Sequence, residues 1–180
     1  MNIEDAQANM RHGYFGGAAG LASSAVIWLL AGSAAAVRDP NTGVMVLILG
    51  GMLIHPLAVL GSKLLGRPGA HDRTNPLAPL ALEGTVILLL GVLVAFALSR
   101  FQVELFFPSM LLVIGGRYLT FQTLYGRRVY WLCGGILISL GLLAATLKFP
   151  VAVCAFAGGL IEAAFALLVF VQIRRDAKTA

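Results

Sequence analysis

Charge is scarce in this chain. Asp, Glu, Lys and Arg make up 12% of its 180 residues, and 59% are hydrophobic. A water-soluble domain of this size cannot hide so much apolar surface, and a mean hydropathy of +0.89 places the chain among integral membrane proteins. Cysteine is almost absent: Cys133 and Cys154 are the two present, which excludes a disulfide framework. The usual catalytic signatures are missing as well, with no H-E-x-x-H, G-x-S-x-G, C-x-x-C or P-loop. His12, His55 and His71 fall at different depths, so a metal site lacks support and no cofactor is expected. An enzyme is not expected either, because no nucleophile stands beside a base.

What is present is a series of long apolar runs. A bilayer core about 30 Å thick takes roughly 20 apolar residues per helix. The runs predict six spans, at 13–37, 42–65, 76–99, 105–126, 129–147 and 150–173. Apart from Lys63 near the end of the second, only Glu83, Arg117 and Glu162 place a formal charge inside them. Barrel strands alternate over about 10 residues, so these longer uniform runs are helices with their backbone bonds satisfied internally. The predicted fold is all-α, an integral membrane six-helix bundle. Short loops predict one transmembrane domain over 1–180. Ala34 and Ala36 form an A-x-A pattern, but the apolar run is long for a secretory signal and its leader carries Glu4 and Asp5. The first span is therefore expected to be retained.

A net charge of +5 and a pI near 9.7 invite a nucleic-acid reading, which the distribution argues against. Arg11, Lys63, Arg67, Arg73, Arg127, Arg128, Arg174, Arg175 and Lys178 fall on the side of both termini. Arg38, Arg100 and Lys148 fall opposite. Nine against three predicts cytoplasmic N- and C-termini by the positive-inside rule, with some attraction to anionic lipid. Cys133 and Cys154 then sit in opposite halves of the membrane and read as small buried apolar residues.

Pro40, Pro108 and Pro150 each stand just before an even-numbered span, where a missing N–H costs nothing. Each even span carries a glycine pair: Gly50-Gly51, Gly115-Gly116 and Gly158-Gly159. Three helical hairpins of one design, spans one with two, three with four and five with six, are one reading; chance recurrence of small contact residues is the other. Asn75-Pro76 reads as an N-cap followed by proline at the first helical position. His71, Asp72 and Arg73 read as a solvated turn. Residues 1–10 form either a short surface helix or a loose segment. Trp28, Trp131, Tyr14, Tyr125 and Tyr130 read as interface anchors.

His55, Arg117 and Glu162 lie near the middles of the even spans. At about 1.5 Å rise per residue they share one depth to within a turn. Charge there costs at least about 2.5–3.5 kcal/mol, so such groups pair or face a cavity. One reading is an Arg117–Glu162 ion pair that locks spans four and six. The other is a ligand or proton site formed by His55, Glu83, Arg117 and Glu162, with Tyr118 and Gln122 on its wall. Tyr118, Gln122 and Tyr125 recur at i, i+4 and i+7, on one helix face. An arginine there favours a small anionic or carboxylate-bearing ligand. Pro56 follows His55, removes the bond to Met52 and predicts a kink.

The segments GGMLIHPLAVL (50–60), NPL (75–77), LALEG (80–84) and FFPSMLLVIGGRYLTFQTLYG (106–126), with the opening 11–20, resemble an uncharacterised family of small bacterial multipass membrane proteins. That resemblance covers most of the chain and implies location and fold but no activity. The three proline-turn hairpins are more loosely similar to the acid-resistance six-helix membrane proteins. Two functional classes follow: a small-solute or ion transporter of the bacterial inner membrane, or a noncatalytic structural, sensor or stress-protection protein with a buried ion pair. The partners compatible with these readings are the lipid bilayer, a small anionic ligand and a further copy of the chain, but no nucleic acid.

Overall fold

The computed structural model describes the backbone over residues 1–179 and side chains through Asp176. Lys178, counted above among the basic residues, has its side chain outside the described residues, and Ala180 lies outside them altogether. Seven α-helices and two 3-10 turns are present, with no strand among the described residues. They are α1 (Ile3–Gly13), α2 (Ala18–Val37), α3 (Pro40–Leu64), α4 (Ala78–Ser99), α5 (Phe106–Tyr125), α6 (Val129–Leu147) and α7 (Val151–Thr179). Six of them, α2 to α7, are long and apolar enough to cross a membrane. The chain is thus an all-α multipass membrane protein.

The N-terminal segment is a surface helix. Asn2 caps α1 by accepting from Asp5 N at 2.8 Å, and Ala6 and Met10 are buried beneath it. Gln7 Nε2 donates to Thr123 O at 2.9 Å and Arg11 Nη1 to Tyr125 O at 2.7 Å, so α1 is tied to the end of α5. Burial holds the Arg11 guanidinium below its ordinary pKa, and nearby Arg127 adds to the effect. Between α1 and α2 the chain passes through three left-handed residues, Phe15 (φ 51°), Gly16 (φ 62°) and Gly17 (φ 88°). Only glycine adopts such angles without strain; Phe15 is held there by burial and by stacking on Phe170, 5.3 Å between centroids.

Pro40 starts α3 as the sequence implies, whereas Pro108 is the third residue of α5. Asp39 caps α3 by accepting from Thr42 N at 3.1 Å, with Pro40 in the first turn. The Thr42 hydroxyl and then its N–H hold the Asp39 carboxylate below the usual range. Helix α3 continues as one element through Pro56. Asn75, in contrast, does not cap α4, which begins at Ala78. Its Oδ1 accepts from Leu77 N at 2.9 Å, and its Nδ2 donates to Ala6 O at 3.0 Å and Asn9 Oδ1 at 2.9 Å. The buried amide pins the loop to α1, a stronger demand on its hydrogen-bonding groups than an exposed cap.

Packing does not follow three like hairpins. Helix α2 lies along both α3 and α7, and α5 lies along α6, while α4 leans chiefly on α5 and α6 meets α7 only briefly. The glycine pairs explain why. Gly115 of α5 abuts Gly134 of α6, and Gly158 of α7 faces Trp28 of α2 and Leu111 of α5. The first joins consecutive helices across the boundary between two expected hairpins, and the second joins helices distant in sequence. A further pair, Gly134-Gly135, stands in odd-numbered span α6, so the pattern is not confined to even spans. The core accordingly sits on α2, α5 and α7. Helix α4 is the most open, with 11% of its apolar window buried against 44% for α5 and α7.

Candidate functional site

The six sequence-selected residues do not converge. His55 on α3 and Glu83 on α4 are exposed on their helix faces, and Gln122 is half-buried. Arg117 is half-buried; its Nη2 donates to Thr85 Oγ1 at 3.2 Å, and its guanidinium lies 5.5 Å over the Phe121 ring. Glu162 is fully buried and accepts from the Tyr118 hydroxyl at 2.7 Å. Among the described residues the ion pair within 4.0 Å is Arg127–Asp176, at the terminal end of the bundle. The expected Arg117–Glu162 pair is therefore not formed: Arg117 meets Thr85 and the Phe121 ring, and Glu162 meets Tyr118. Adjacent residues point about 100° apart on a helix of 3.6 residues per turn, so Tyr118 faces α7 while Arg117 turns toward α4.

What the bundle assembles instead is an enclosed carboxyl in an aromatic wall. Tyr118 stacks near Tyr130 (6.1 Å) and meets Phe121 edge-on (5.3 Å); Tyr125 lies 5.5 Å from Tyr130. Tyr130 donates to Gly16 O at 2.5 Å, which ties α6 to the left-handed turn. Ser24 of α2 and Cys133 of α6 lie in the neighbourhood of the Glu162 carboxyl. Glu162 Oε2 and Trp28 Nε1 are both buried without a hydrogen-bond partner, and each such group carries a desolvation cost. The site can hold a hydrogen bond and fix helix register.

Several expectations change here. Trp28, Tyr125 and Tyr130 are core residues, 1%, 8% and 0% exposed, because they pack the α2–α5–α6–α7 junction. Trp131, at 53% exposed, remains suited to the interface. Tyr118 and Tyr125 are buried against other rings, so the α5 polar stripe lines packing. Cys133 and Cys154 are buried and unbridged, as expected. The turn 71–73 is partly docked: Tyr14 Oη and His71 Nδ1 are 2.8 Å apart. Asp72 accepts from Thr74 N at 2.8 Å and Thr74 Oγ1 at 2.7 Å; that N–H and then the hydroxyl depress its carboxylate pKa. Burial raises the Tyr14 pKa against the opposing His71 bond.

Two clefts stand out. One, of about 350 Å³, runs along Trp131, Leu132, Gly135, Ile136 and Ser139 on the outer face of α6. The other, of about 170 Å³, lies where the turn after α1, the end of α3 and the end of α7 meet. Neither is lined by His55, Glu83, Arg117 or Glu162. Among the described residues no cluster of three or more His, Cys, Asp or Glu side chains suits a metal ion.

This architecture defines a multipass membrane protein with an enclosed tyrosine–glutamate contact. The chain belongs to a family of unknown function, DUF7010, whose model matches residues 3–172. No curated protein and no solved structure matches it.

Proposed function

We propose that the chain forms a single transmembrane domain of the bacterial cytoplasmic membrane. On this reading both termini are cytoplasmic, and the domain acts as a noncatalytic component: a scaffold, sensor or stress-protection protein. Its intramembrane polar residues serve helix packing. The observation that supports this is Glu162. It is enclosed on all sides, bonded to Tyr118 at 2.7 Å, and lines neither cleft. A transport site must alternately meet an aqueous path, and His55 and Glu83 lie on exposed faces of other helices. The test is uptake by liposomes carrying the purified protein. A panel of small organic anions should enter no faster than into empty liposomes; accelerated, saturable uptake abolished by Glu162→Gln would overturn this reading.

A second reading keeps the transporter, because among the described residues Arg117 has no carboxylate partner at intramembrane depth. Such a cation is suited to a small carboxylate ligand. It predicts a saturable thermal shift with organic anions that Arg117→Gln removes. For orientation, nine basic residues against three predict opposite signals from reporters fused after Arg38 and at Ala180; equal signals would refute cytoplasmic termini.

A further inference from the structure

We propose that the cleft between the Phe15 turn, the end of α3 and the end of α7 binds a phosphate group, held by Arg67 and Arg174, and that its apolar wall suits a phosphate carried by an anionic lipid. The cleft, about 170 Å³, is lined by Phe15, Leu65, Gly66, Arg67, Ile173 and Arg174. A water molecule takes about 30 Å³ in the liquid, so there is room for a tetrahedral oxyanion.

The two arginines face this small space from different elements, and no carboxylate pairs with either among the described residues. Each is oriented by an aromatic ring: Arg67 lies 5.6 Å over Phe15, and Arg174 lies 5.2 Å over Phe170. These two rings stack on one another at 5.3 Å. A stacked pair of phenyl groups therefore carries a guanidinium on each member. Arg67 spends one donor on His12 Nδ1 at 2.9 Å; a guanidinium has five, so donors remain for an anion. Planar guanidinium forks match phosphate oxygens in pairs.

Position completes the argument. Phe15 opens the first span, Leu64 closes the second, and Asp176 closes the sixth, so the cleft sits at the membrane boundary on the side of both termini. Leu65, Ile173 and Phe15 supply an apolar wall beside the charges, and no residue at Gly66 narrows the opening, where an added Cβ meets nothing within 4 Å. Charge next to an apolar wall at that depth is the chemistry of a phospholipid headgroup and its glycerol.

The experiment uses the full chain in neutral detergent at fixed ionic strength. Thermal unfolding is followed while titrating inorganic phosphate in one arm, and phosphatidylglycerol against phosphatidylcholine in another. Variants are Arg67→Gln, Arg174→Gln and, as an equal-charge control away from the cleft, Arg73→Gln. The expected result is a saturable stabilisation by phosphatidylglycerol that weakens tenfold or more in Arg67→Gln and Arg174→Gln and persists in Arg73→Gln. Saturation by inorganic phosphate with the same variant pattern also supports the site and assigns a soluble source. Equal losses in all three variants, or no saturable response in either arm, overturns it. Should Arg67→Gln not fold, Arg174→Gln and Arg67→Lys carry the comparison, with Lys expected to retain partial binding.

Discussion

The Tyr118 hydroxyl donates to Glu162 Oε1 at 2.7 Å and so joins α5 to α7 inside the membrane-spanning bundle. Both side chains are buried, Tyr118 at 5% and Glu162 at 0% exposure, so water cannot replace either partner. Tyr118→Phe leaves a buried acceptor unsatisfied, which costs about 1–3 kcal/mol. We expect this variant to unfold at a clearly lower temperature in detergent. Glu162→Gln retains an acceptor for the hydroxyl and should cost less; the reverse order would count against the contact.

Arg117→Ala gives a contrasting expectation. Loss of a buried ion pair would cost about 3–5 kcal/mol, but Arg117 meets Thr85 and the Phe121 ring instead. An intramembrane hydrogen bond averages about 0.6 kcal/mol and an exposed cation–π contact about 0.5–1 kcal/mol. Arg117→Ala should therefore cost about 1–2 kcal/mol, below the loss expected of a buried ion pair. A drop of ion-pair size in the melting temperature would show that Arg117 has a carboxylate partner after all.

Glycine positions separate tight from open packing. A Cβ on Gly158 would come within 2.8 Å of Trp28 Cε3 and 2.9 Å of Leu111 Cδ2, whereas one on Gly116 meets nothing within 4 Å. Gly158→Ala should cost about 1–3 kcal/mol through overpacking. Gly116→Ala should be neutral or gain up to about 1 kcal/mol from helix propensity. Paired unfolding curves decide the matter, and equal effects would mean that α7 does not press on Trp28.

Acid response should report the loop that docks on α1. Thr74 depresses the Asp72 pKa below its ordinary 3.8. A depressed carboxylate contributes stability that is complete above the ordinary value and lost as pH falls through the lower folded one. Wild type and Asp72→Ala should therefore differ most in melting temperature above about pH 5 and converge toward about pH 2. A gap that widens on acidification would contradict the assignment.

The spans were legible because composition alone decides them: a long uncharged run can satisfy its backbone in lipid only as a helix. Proline starts at Pro40 and the buried cysteines were legible for similarly local reasons. The site was legible only in part. Glu162 and Tyr118 stood out as polar residues in apolar runs, but their partnership depends on which face α5 turns to α7. That rotation is set by Gly115 against Gly134 and Gly158 against Trp28, contacts between separate helices that no local pattern reveals. Ser24 carried no signal that set it apart from Ser23, and Trp28 and Tyr130 resemble interface aromatics until packing encloses them. The same rotation sends Arg117 to Thr85, so equal depth along two helices did not become contact.

A double-mutant cycle on Tyr118 and Glu162 tests the central claim most directly. Replacing both partners of a buried hydrogen bond by apolar groups of similar shape can be nearly neutral, while removing one leaves the other exposed to the full desolvation cost. Tyr118→Phe, Glu162→Met and the double variant should be compared by reversible unfolding of the full chain. The account predicts that Tyr118→Phe alone is destabilised and that adding Glu162→Met restores much of the loss, a coupling of at least about 0.5 kcal/mol. Strictly additive losses, with the double variant the least stable of the three, would contradict it.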